Sequence, residues 1–307
     1  MLSILIPVYN RNIAPLINDL SYQLENATID YEILICDDKS FPKYIKQNGS
    51  LADNKHIFFY LNQENAGRSK TRNFLAFKAR FPYLLFIDCD ANIIDKQFIN
   101  KYLQEIDKHK DNGSFVINGG TSYRNTPPNQ IHFLRWQYGK IREEIPAQKR
   151  NLNPYRSFTP FNIICSSSIF KIIQFDESLK NYGNEDTLFG IALKNANIPI
   201  FHVDNQLYHD GIDTNTIFLK KIESAINNLI YLYRNKMIDE GFIKENKLLR
   251  CYFTCKKLHI LFFIKLIYRS FNKFIIRKIN SDISLFWLDF YKLGYLTEIL
   301  TNHEIAN

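Results

Sequence analysis

The first 120 residues alternate between short apolar segments and segments with helical periodicity. Segments 2–8, 31–36, 56–61, 83–87 and 114–118 have the length and composition of buried strands, whereas 13–24, 67–80 and 96–109 suit helices. Strands this apolar, separated by helices, are typical of a largely parallel sheet that helices cover on both faces. We therefore expect an α/β fold over this part of the chain.

Polar residues follow the predicted strands where each strand ends. They are Asn10-Arg11, Asp37-Asp38, residues 62–65, and the pair Asp88 and Asp90. Ligands of open α/β sheets bind beyond the carboxyl ends of the strands, so this edge is a candidate binding cleft. No Gly-x-Gly-x-x-Gly follows the first strand and no Gly-Lys-Ser/Thr loop is present, which disfavours a dinucleotide-binding or P-loop enzyme.

Three acidic or imidazole elements could form one metal-dependent site. Asp88 and Asp90 would project into the same space if the chain there is extended, because residues i and i+2 of a strand point the same way. Glu185-Asp186 begins a predicted helix, and His209 follows a short apolar segment. Carboxylates with an imidazole suit Mg²⁺ or Mn²⁺. Each element alone also has a structural explanation: a turn, a complement to the helix dipole, or a satisfied histidine.

Six motifs occur in the order and at the spacing of a known family. They are SILIPVYNR, EILICDDKS, NAGRSKTRN, FIDCDAN, FDESLKNYGNED and LYHDG. With these motifs the chain resembles family 2 of the nucleotide-sugar glycosyltransferases, over residues 1–215. The resemblance implies a GT-A fold, a Rossmann-like and mostly parallel sheet with helices on both faces. The segment YGNEDTLFG also resembles the C-terminal catalytic part of β-1,4-galactosyltransferases.

The resemblance implies a role for each matching residue. Nucleotide-sugar binding would fall to Pro7, Tyr9, Asn10, Asp37, Asp38, Asn65, Gly67, Arg72 and Asp88. Asp90 and His209 would bind the metal, Mn²⁺ or Mg²⁺. Asp186 would be the general base, with Glu185 and Asn184 on the acceptor side.

The implied activity is inverting, metal-dependent transfer of a single sugar from a UDP-sugar to a hydroxyl of a glycan acceptor. The acceptor could be a free or lipid-linked glycan, in surface-polysaccharide or glycolipid assembly. Two departures from the family pattern matter. Lys39 stands where the second motif usually has glycine, and no Gln-x-x-Arg-Trp follows Glu185-Asp186. The only Arg-Trp pair, at 135–136, precedes them, so we expect single-sugar transfer rather than processive synthesis.

The positive charge belongs to the C-terminal part of the chain. The net charge is +8, and residues 218–280 hold 14 Lys/Arg against 4 Asp/Glu. Within 256–278 the longest charge-free run has seven residues, 258–264, far short of the ~20 that cross a bilayer. Lys265, Arg269, Lys273 and Arg277 recur every four residues, which predicts one amphipathic basic helix. It could lie on an anionic membrane surface or pack its apolar face on the catalytic domain.

We therefore expect a catalytic domain at 1–215 and a basic, aromatic helical extension at 216–307. The catalytic domain would comprise a nucleotide-binding half (1–120) and an acceptor half (121–215), with 121–160 irregular. Five cysteines without disulfide or zinc spacing indicate a cytoplasmic protein, with peripheral attachment to the inner face of the plasma membrane left open. A nucleotidyltransferase is disfavoured because IPVYNRN has no glycine. A nucleic-acid-binding module would leave the acidic edge unexplained, so we expect no nucleic-acid partner.

Overall fold

The computed structural model describes residues 1–179, 182–281 and 285–304. The strands are β1 (Leu2–Val8), β2 (Tyr31–Asp37), β3 (Ile57–Leu61), β4 (Tyr83–Ile87), β5 (Ala91–Ile93), β6 (Val116–Asn118), β7 (Thr121–Ser122), β8 (Asn162–Ser166), β9 (Ile200–His202) and β10 (Leu207–His209). The α-helices are α1 (Ala14–Asn26), α2 (Pro42–Gly49), α3 (Arg68–Lys78), α4 (Phe98–His109), α5 (Phe133–Arg142), α6 (Ala147–Arg150), α7 (Glu185–Asn195), α8 (Asn215–Arg234), α9 (Glu240–Glu245), α10 (Lys247–Lys257), α11 (Leu261–Ser270), α12 (Asn272–Ser281) and α13 (Phe286–Glu304).

A seven-stranded sheet in the order β3-β2-β1-β4-β8-β6-β9 forms the centre of the fold. β1 pairs in parallel with β2 and β4, β2 with β3, and β6 with β9. β8 runs antiparallel to both of its neighbours. The predicted mostly parallel sheet is therefore confirmed.

Each face of the sheet has its own apolar core, because alternate residues of a strand point to opposite faces. Ile4 and Ile6 of β1 lie in a core with Leu20 of α1 and Tyr102 of α4. Leu5, between them, lies in the other core with residues of α3 and α7. The predicted covering of both faces by helices is thus confirmed.

A second sheet of three short strands has the order β5-β10-β7. β10 runs antiparallel to β5, so that His209 lies opposite Ala91, and parallel to β7. This sheet did not follow from the sequence, because strands of two or three residues are too short for a period-2 pattern to be recognised.

The chain divides into two compact units. The first comprises the described residues of Met1–Asn125, Gly139–Lys180 and Glu185–Gly211, and the second those of Thr126–Tyr138, Asn181–Asn184 and Ile212–Asn307. Both sheets belong to the first unit. In the second unit, α8 and α13 are joined by hydrogen bonds from Tyr291 to Glu223 and between Asn227 and Tyr295.

Two expectations from the sequence were wrong: that residues 121–160 are irregular, and that residues 256–278 form one helix. Residues 121–160 contain α5 and α6, because the prolines that suggested a loop lie outside the helices. Residues 256–278 are three helices instead of one, because the chain breaks at 258–260, where His259 has a φ of 56°, and again at Phe271. Within the described residues, no helix is both long enough and apolar enough to cross a membrane.

Candidate active site

The carboxyl ends of β1, β2 and β4 meet at one edge of the large sheet, because these strands are parallel neighbours. Tyr9 and Asn10 follow β1, Asp38 follows β2, and Asp88 follows β4. The first unit also contains Glu185-Asp186 and His209. Most of the predicted site residues therefore belong to one compact unit.

The Asp38 carboxylate organises the loop that precedes α3. The backbone N–H groups of Ala66 and Gly67 donate to it at 2.7 and 2.9 Å, and Asn62 Nδ2 donates at 2.8 Å. Asn65 Nδ2 donates to the Asp38 carbonyl at 3.3 Å. Gly67 has a φ of 85°, a left-handed conformation that glycine adopts readily, and α3 begins at the next residue. Asp38 thus shapes this loop, and its carboxylate oxygens already accept hydrogen bonds.

Asn10 and Asp37 connect the loops after β1 and β2. The Asn10 N–H donates to Ser40 Oγ at 2.7 Å, and Asn10 Oδ1 accepts from the Phe41 N–H at 2.8 Å. Asp37 is fully buried, and its Oδ1 accepts from the Ser40 N–H at 2.7 Å. Its Oδ2 is buried without a hydrogen-bond partner among the described residues. Such an oxygen is costly to bury unless a donor satisfies it, for example one from a ligand.

Pro7 and Tyr9 differ in accessibility. Pro7 is half-buried within β1, whereas 53% of Tyr9 is exposed. The ring of Tyr9 is therefore available to pack on a flat ligand such as a base.

The two carboxylates of FIDCDAN take different partners. Extended structure ends at Ile87, and a turn follows in which the Ala91 N–H donates to the Asp88 carbonyl at 3.0 Å. The assumption of an extended chain was wrong here. Asp88 accepts from Arg72 Nη2 at 2.8 Å, whereas Asp90 Oδ2 lies 3.7 Å from His209 Nε2.

Cys89, between the two carboxylates, packs against the core. Burial, together with the negative charge of the neighbouring Asp90, raises the pKa of its thiol to about 12. It therefore stays protonated at neutral pH.

The small sheet places His209 opposite Ala91 and therefore close to Asp90. Its ring stacks on the rings of Tyr123 and Phe161, with centroids 5.6 and 5.2 Å away. The Asp210 N–H donates to the Asp90 carbonyl at 2.9 Å. At the next position a side chain would displace the Asp90 carboxylate, because a Cβ on Gly211 would lie 2.0 Å from Asp90 Oδ2.

Asp90 and His209 fit a divalent cation that has few protein ligands. Their Oδ2 and Nε2 atoms are close enough to contact one ion, and a carboxylate with an imidazole is a donor set that Mn²⁺ accepts. No cluster of three or more His, Cys, Asp or Glu suited to a metal occurs in the part of the chain that the structure describes. A cation here would therefore complete its coordination with ligand oxygens or water.

Arg72 lies between the two acidic groups of the site. It is almost completely buried, and besides its bond to Asp88 its Nη1 lies 3.7 Å from Glu185 Oε1. Arg68 Nη1 lies 4.0 Å from the same oxygen. Because a buried guanidinium is costly without acidic partners, this contact holds the start of α7 towards the end of β4.

Asp186, the next residue of α7, has an altered acidity. Loss of solvation and the adjacent Glu185 charge raise the pKa of its carboxyl to about 6, although the Thr187 N–H donates to it at 2.7 Å. A carboxylate of this pKa can accept a proton near neutral pH.

Asn184 lies in the second compact unit. Its φ is 71°, and its Nδ2 donates to the Ala225 carbonyl at 2.6 Å. The side-chain amide of Asn184 therefore contacts α8. Lys180-Asn181 of the motif FDESLKNYGNED lie outside the described residues.

The sequence did not single out Arg68, Arg124, Asp210 or Gly211. Arg124 Nε and Nη2 donate to the two Asp210 oxygens at 2.9 and 2.7 Å, next to His209. Asp210 and Gly211 belong to the quoted motif LYHDG, which was a signal for them. Arg124 has no such signal, because its partner is 86 residues away in the chain.

Comparison with known proteins gives the same family as the motifs. The model of Glycosyl transferase family 2 matches residues 3–174. No curated protein sequence matches significantly.

Among solved structures, S. aureus TarS 1–349 in complex with UDP is similar, with a TM-score of 0.51 and 19% identity over 98% of this chain and 91% of that one. The complex of the same fragment with UDP-GlcNAc has a TM-score of 0.50, with 17% identity over 98% of this chain and 92% of that one.

The mannosyltransferase PcManGT from Pyrobaculum calidifontis, in complex with GDP-Man and Mn²⁺, has a TM-score of 0.50 and 12% identity, covering 76% of this chain and 64% of that one. In a further TarS structure this chain covers 38% of the other chain's length. The similarity to the two TarS 1–349 complexes and to the mannosyltransferase confirms the GT-A fold. Since the family model spans more than half of the sequence, the chain belongs to glycosyl transferase family 2 and is a glycosyltransferase.

Proposed function

We propose that this protein transfers one sugar from a UDP-sugar to a hydroxyl of a glycan acceptor, with inversion at the anomeric carbon and with help from a divalent metal. The observation that carries the proposal is the acidity and position of Asp186. Its carboxyl has a pKa raised to about 6, and it begins a helix whose first residue, Glu185, lies 3.7 Å from Arg72, the partner of Asp88. A base suited to neutral pH thus belongs to the same charged network as the donor-side carboxylate.

In the proposed reaction the Asp186 carboxylate accepts the proton of the acceptor hydroxyl. The oxygen then forms a bond to the anomeric carbon while the bond from that carbon to the diphosphate breaks on the opposite side. Such in-line displacement inverts the configuration. UDP leaves with the electron pair, and Glu185 orients the acceptor.

The leaving diphosphate needs positive charge near it. Asp90 and His209 would hold Mn²⁺ or Mg²⁺, which neutralises developing charge on phosphate oxygens. Arg72 would hold the Asp88 carboxylate in place for the donor through the hydrogen bond from its Nη2. The Mn²⁺ complex of the mannosyltransferase supports this part of the proposal by fold likeness.

The nucleotide would occupy the edge next to β1 and β2. Tyr9, largely exposed, would stack on the base, with Pro7 beside it. The unpartnered Asp37 Oδ2 would accept a hydrogen bond from the base or ribose. Asn10, Asp38, Asn65 and Gly67 would act by holding the two loops in shape, as their hydrogen bonds within the chain indicate.

The acceptor would be a glycan, free or carried on a lipid, in surface-polysaccharide or glycolipid assembly. We place the enzyme in the cytoplasm, at the inner face of the membrane. Single-sugar transfer is favoured because no Gln-x-x-Arg-Trp follows Glu185-Asp186.

A panel of UDP-sugars with Mn²⁺ tests the proposal through slow donor hydrolysis in the absence of acceptor. With the preferred donor, Asp186→Asn should lower transfer at least about a hundredfold, since general-base catalysis contributes about 10²–10⁴-fold. Its affinity for UDP should be unchanged in calorimetry. The control is Asp53→Asn, an exposed carboxylate of the same unit. Normal turnover by Asp186→Asn would remove this residue from the mechanism.

A further inference from the structure

The outward face of α11 is apolar. Phe262 and Phe263 are 69% and 60% exposed, and Leu266 and Ile267 are 50% and 44% exposed. Residues spaced by three or four positions share one side of a helix, and Leu266 is so spaced from both Phe262 and Phe263, as Ile267 is from Phe263. The exposed side of a helix in a water-soluble fold is normally polar, so this face is the reverse of the usual pattern.

The orientation of α11 is set by its contacts with α13. Tyr268 is buried against Tyr291 and passes close to Gly294, where a Cβ would lie 2.4 Å from its ring. Lys265 Nζ donates to Thr301 and Asn302 at 3.0 and 2.7 Å, and Arg269 Nε to Glu298 at 2.7 Å. Since these contacts occupy the other sides of the helix, the apolar side has to face outward.

The sequence predicted a different arrangement. There, Lys265, Arg269, Lys273 and Arg277 formed one cationic stripe beside an apolar face. The break at Phe271 ends this stripe, and the two cations of α11 bind α13. The prediction of one continuous stripe was therefore wrong.

The exposed apolar surface continues beyond α11. Leu258 and Ile260 in the preceding turn are exposed, and so are Phe271 and Phe274 after it. We define the α11 patch as Leu258, Phe262, Phe263, Leu266, Ile267 and Phe271. An exposed surface of neighbouring apolar side chains marks an interaction site.

The charge around the α11 patch has a single sign. From Lys247 to Ser281 the chain has nine Lys/Arg and no Asp or Glu. Lys257, Lys273 and Arg277 are exposed, with no ion pair to any described residue. Apolar side chains surrounded by cations complement an interface that is apolar below and anionic above, such as that of an anionic bilayer.

We propose that the α11 patch enters the headgroup region of anionic membranes, while Lys257, Lys273 and Arg277 meet the lipid phosphates. A second copy of this chain is a poorer occupant, because it would bring two all-cationic surfaces together. The inference deepens the membrane part of the proposed function and rests on it for its biological meaning. Its test measures membrane binding and does not depend on enzyme activity.

The test is sedimentation of the full chain with vesicles of phosphatidylcholine alone or mixed with an equal amount of phosphatidylglycerol. The wild type should bind the anionic vesicles, and more weakly as salt rises. Phe262→Ser/Phe263→Ser should weaken binding at least about tenfold, because two aromatic side chains that would be buried in the membrane are lost. Lys273→Glu/Arg277→Glu should abolish the preference for anionic vesicles.

Matched controls come from the first unit. Phe77→Ser/Ile172→Ser removes two exposed apolar side chains, and Lys46→Glu/Lys55→Glu makes the same change in net charge. Both controls should bind vesicles like the wild type. Because all altered side chains are exposed, circular dichroism should show unchanged folding.

Three results would overturn the proposal: no binding of the wild type to anionic vesicles, equal binding by Phe262→Ser/Phe263→Ser, or equal losses in the controls. Light scattering tests the alternative that a second copy of this chain covers the α11 patch. Self-association that Phe262→Ser/Phe263→Ser abolishes, without vesicle binding, would make the α11 patch an interface between copies. UDP binding and donor hydrolysis in lipid-free buffer are measured separately, so a failed enzyme activity cannot be mistaken for failed membrane binding.

Discussion

Asp186 shows how a single carboxyl is adjusted by its neighbours. Burial and the Glu185 charge raise its pKa, whereas Arg72 and two backbone hydrogen bonds lower it, and the result is about 6. The positive charge of Arg72 favours the ionised form of Asp186 and so limits the rise of its pKa. The arrangement favours a base that is ionised yet still basic near neutral pH.

The pH dependence of transfer follows from this pKa. Below about pH 6 the Asp186 carboxyl becomes protonated and cannot accept the acceptor's proton. We expect kcat/KM to fall about tenfold per pH unit on the acid side, with an apparent pKa near 6. In Glu185→Gln the neighbouring negative charge is removed, so the acid limb should move to lower pH. The measurement is a pH–rate profile of both proteins, and an unmoved limb would contradict the assignment of Asp186.

Asp90 and Asp88 should respond differently to substitution, because only Asp90 lies near His209. In Asp90→Ala, Mn²⁺ should no longer strengthen UDP binding, since the cation would lose one of the two protein ligands that we propose. His209→Ala should behave in the same way. Calorimetry with UDP, with and without Mn²⁺, measures this difference. The control Asp53→Ala should keep the Mn²⁺ effect, and a retained effect in Asp90→Ala would place the cation elsewhere.

At the scale of elements, two short strands decide where Asp90 and His209, the proposed metal ligands, lie. β5 and β10 pair so that Ala91 faces His209, and the Asp210 N–H ties the end of β10 to the Asp90 carbonyl. Gly211 then leaves the space that the Asp90 carboxylate occupies. Asp90 and His209, more than a hundred residues apart in sequence, are thus brought together by the six paired residues of β5 and β10.

Gly211→Ala tests this packing. The added Cβ would lie 2.0 Å from Asp90 Oδ2, so the carboxylate must move although the backbone need not. We expect Mn²⁺-dependent UDP affinity to fall about 10- to 100-fold, as when groups supporting a metal ligand are lost, while the melting temperature changes little. The control is Gly49→Ala, where a Cβ meets nothing within 4 Å. Unchanged affinity in Gly211→Ala would show that Gly211 is not needed to position the Asp90 carboxylate.

The success of prediction at this scale depends on element length. β1, β2 and β4 were predicted within one residue because continuous apolar runs between helices have few alternative structures. α5 was missed because neighbouring prolines suggested a loop. The breaks at 258–260 and Phe271 were missed because neither contains glycine or proline, the usual signals of a helix end.

For the whole molecule, the candidate site and the cluster of positive charge lie in different parts of the chain. The first unit holds the carboxylates of the candidate site, whereas the nine cations of 247–281 belong to the second. This separation agrees with the two tasks that we propose, binding a metal-assisted donor and contacting an anionic surface.

The sequence by itself determined the α/β architecture, the family, and the residue types at the edge of the sheet. These follow from local information: apolar runs, helical periodicity, and motifs of fewer than thirteen residues. Only the tertiary structure decided that Asp88 and Asp90 take different partners, that Arg72 links Asp88 to Glu185, and that the cations of α11 bind α13 instead of facing outward. The physical reason is that these contacts join distant segments, and which face of a helix or turn meets which neighbour is set by packing, which periodicity does not encode.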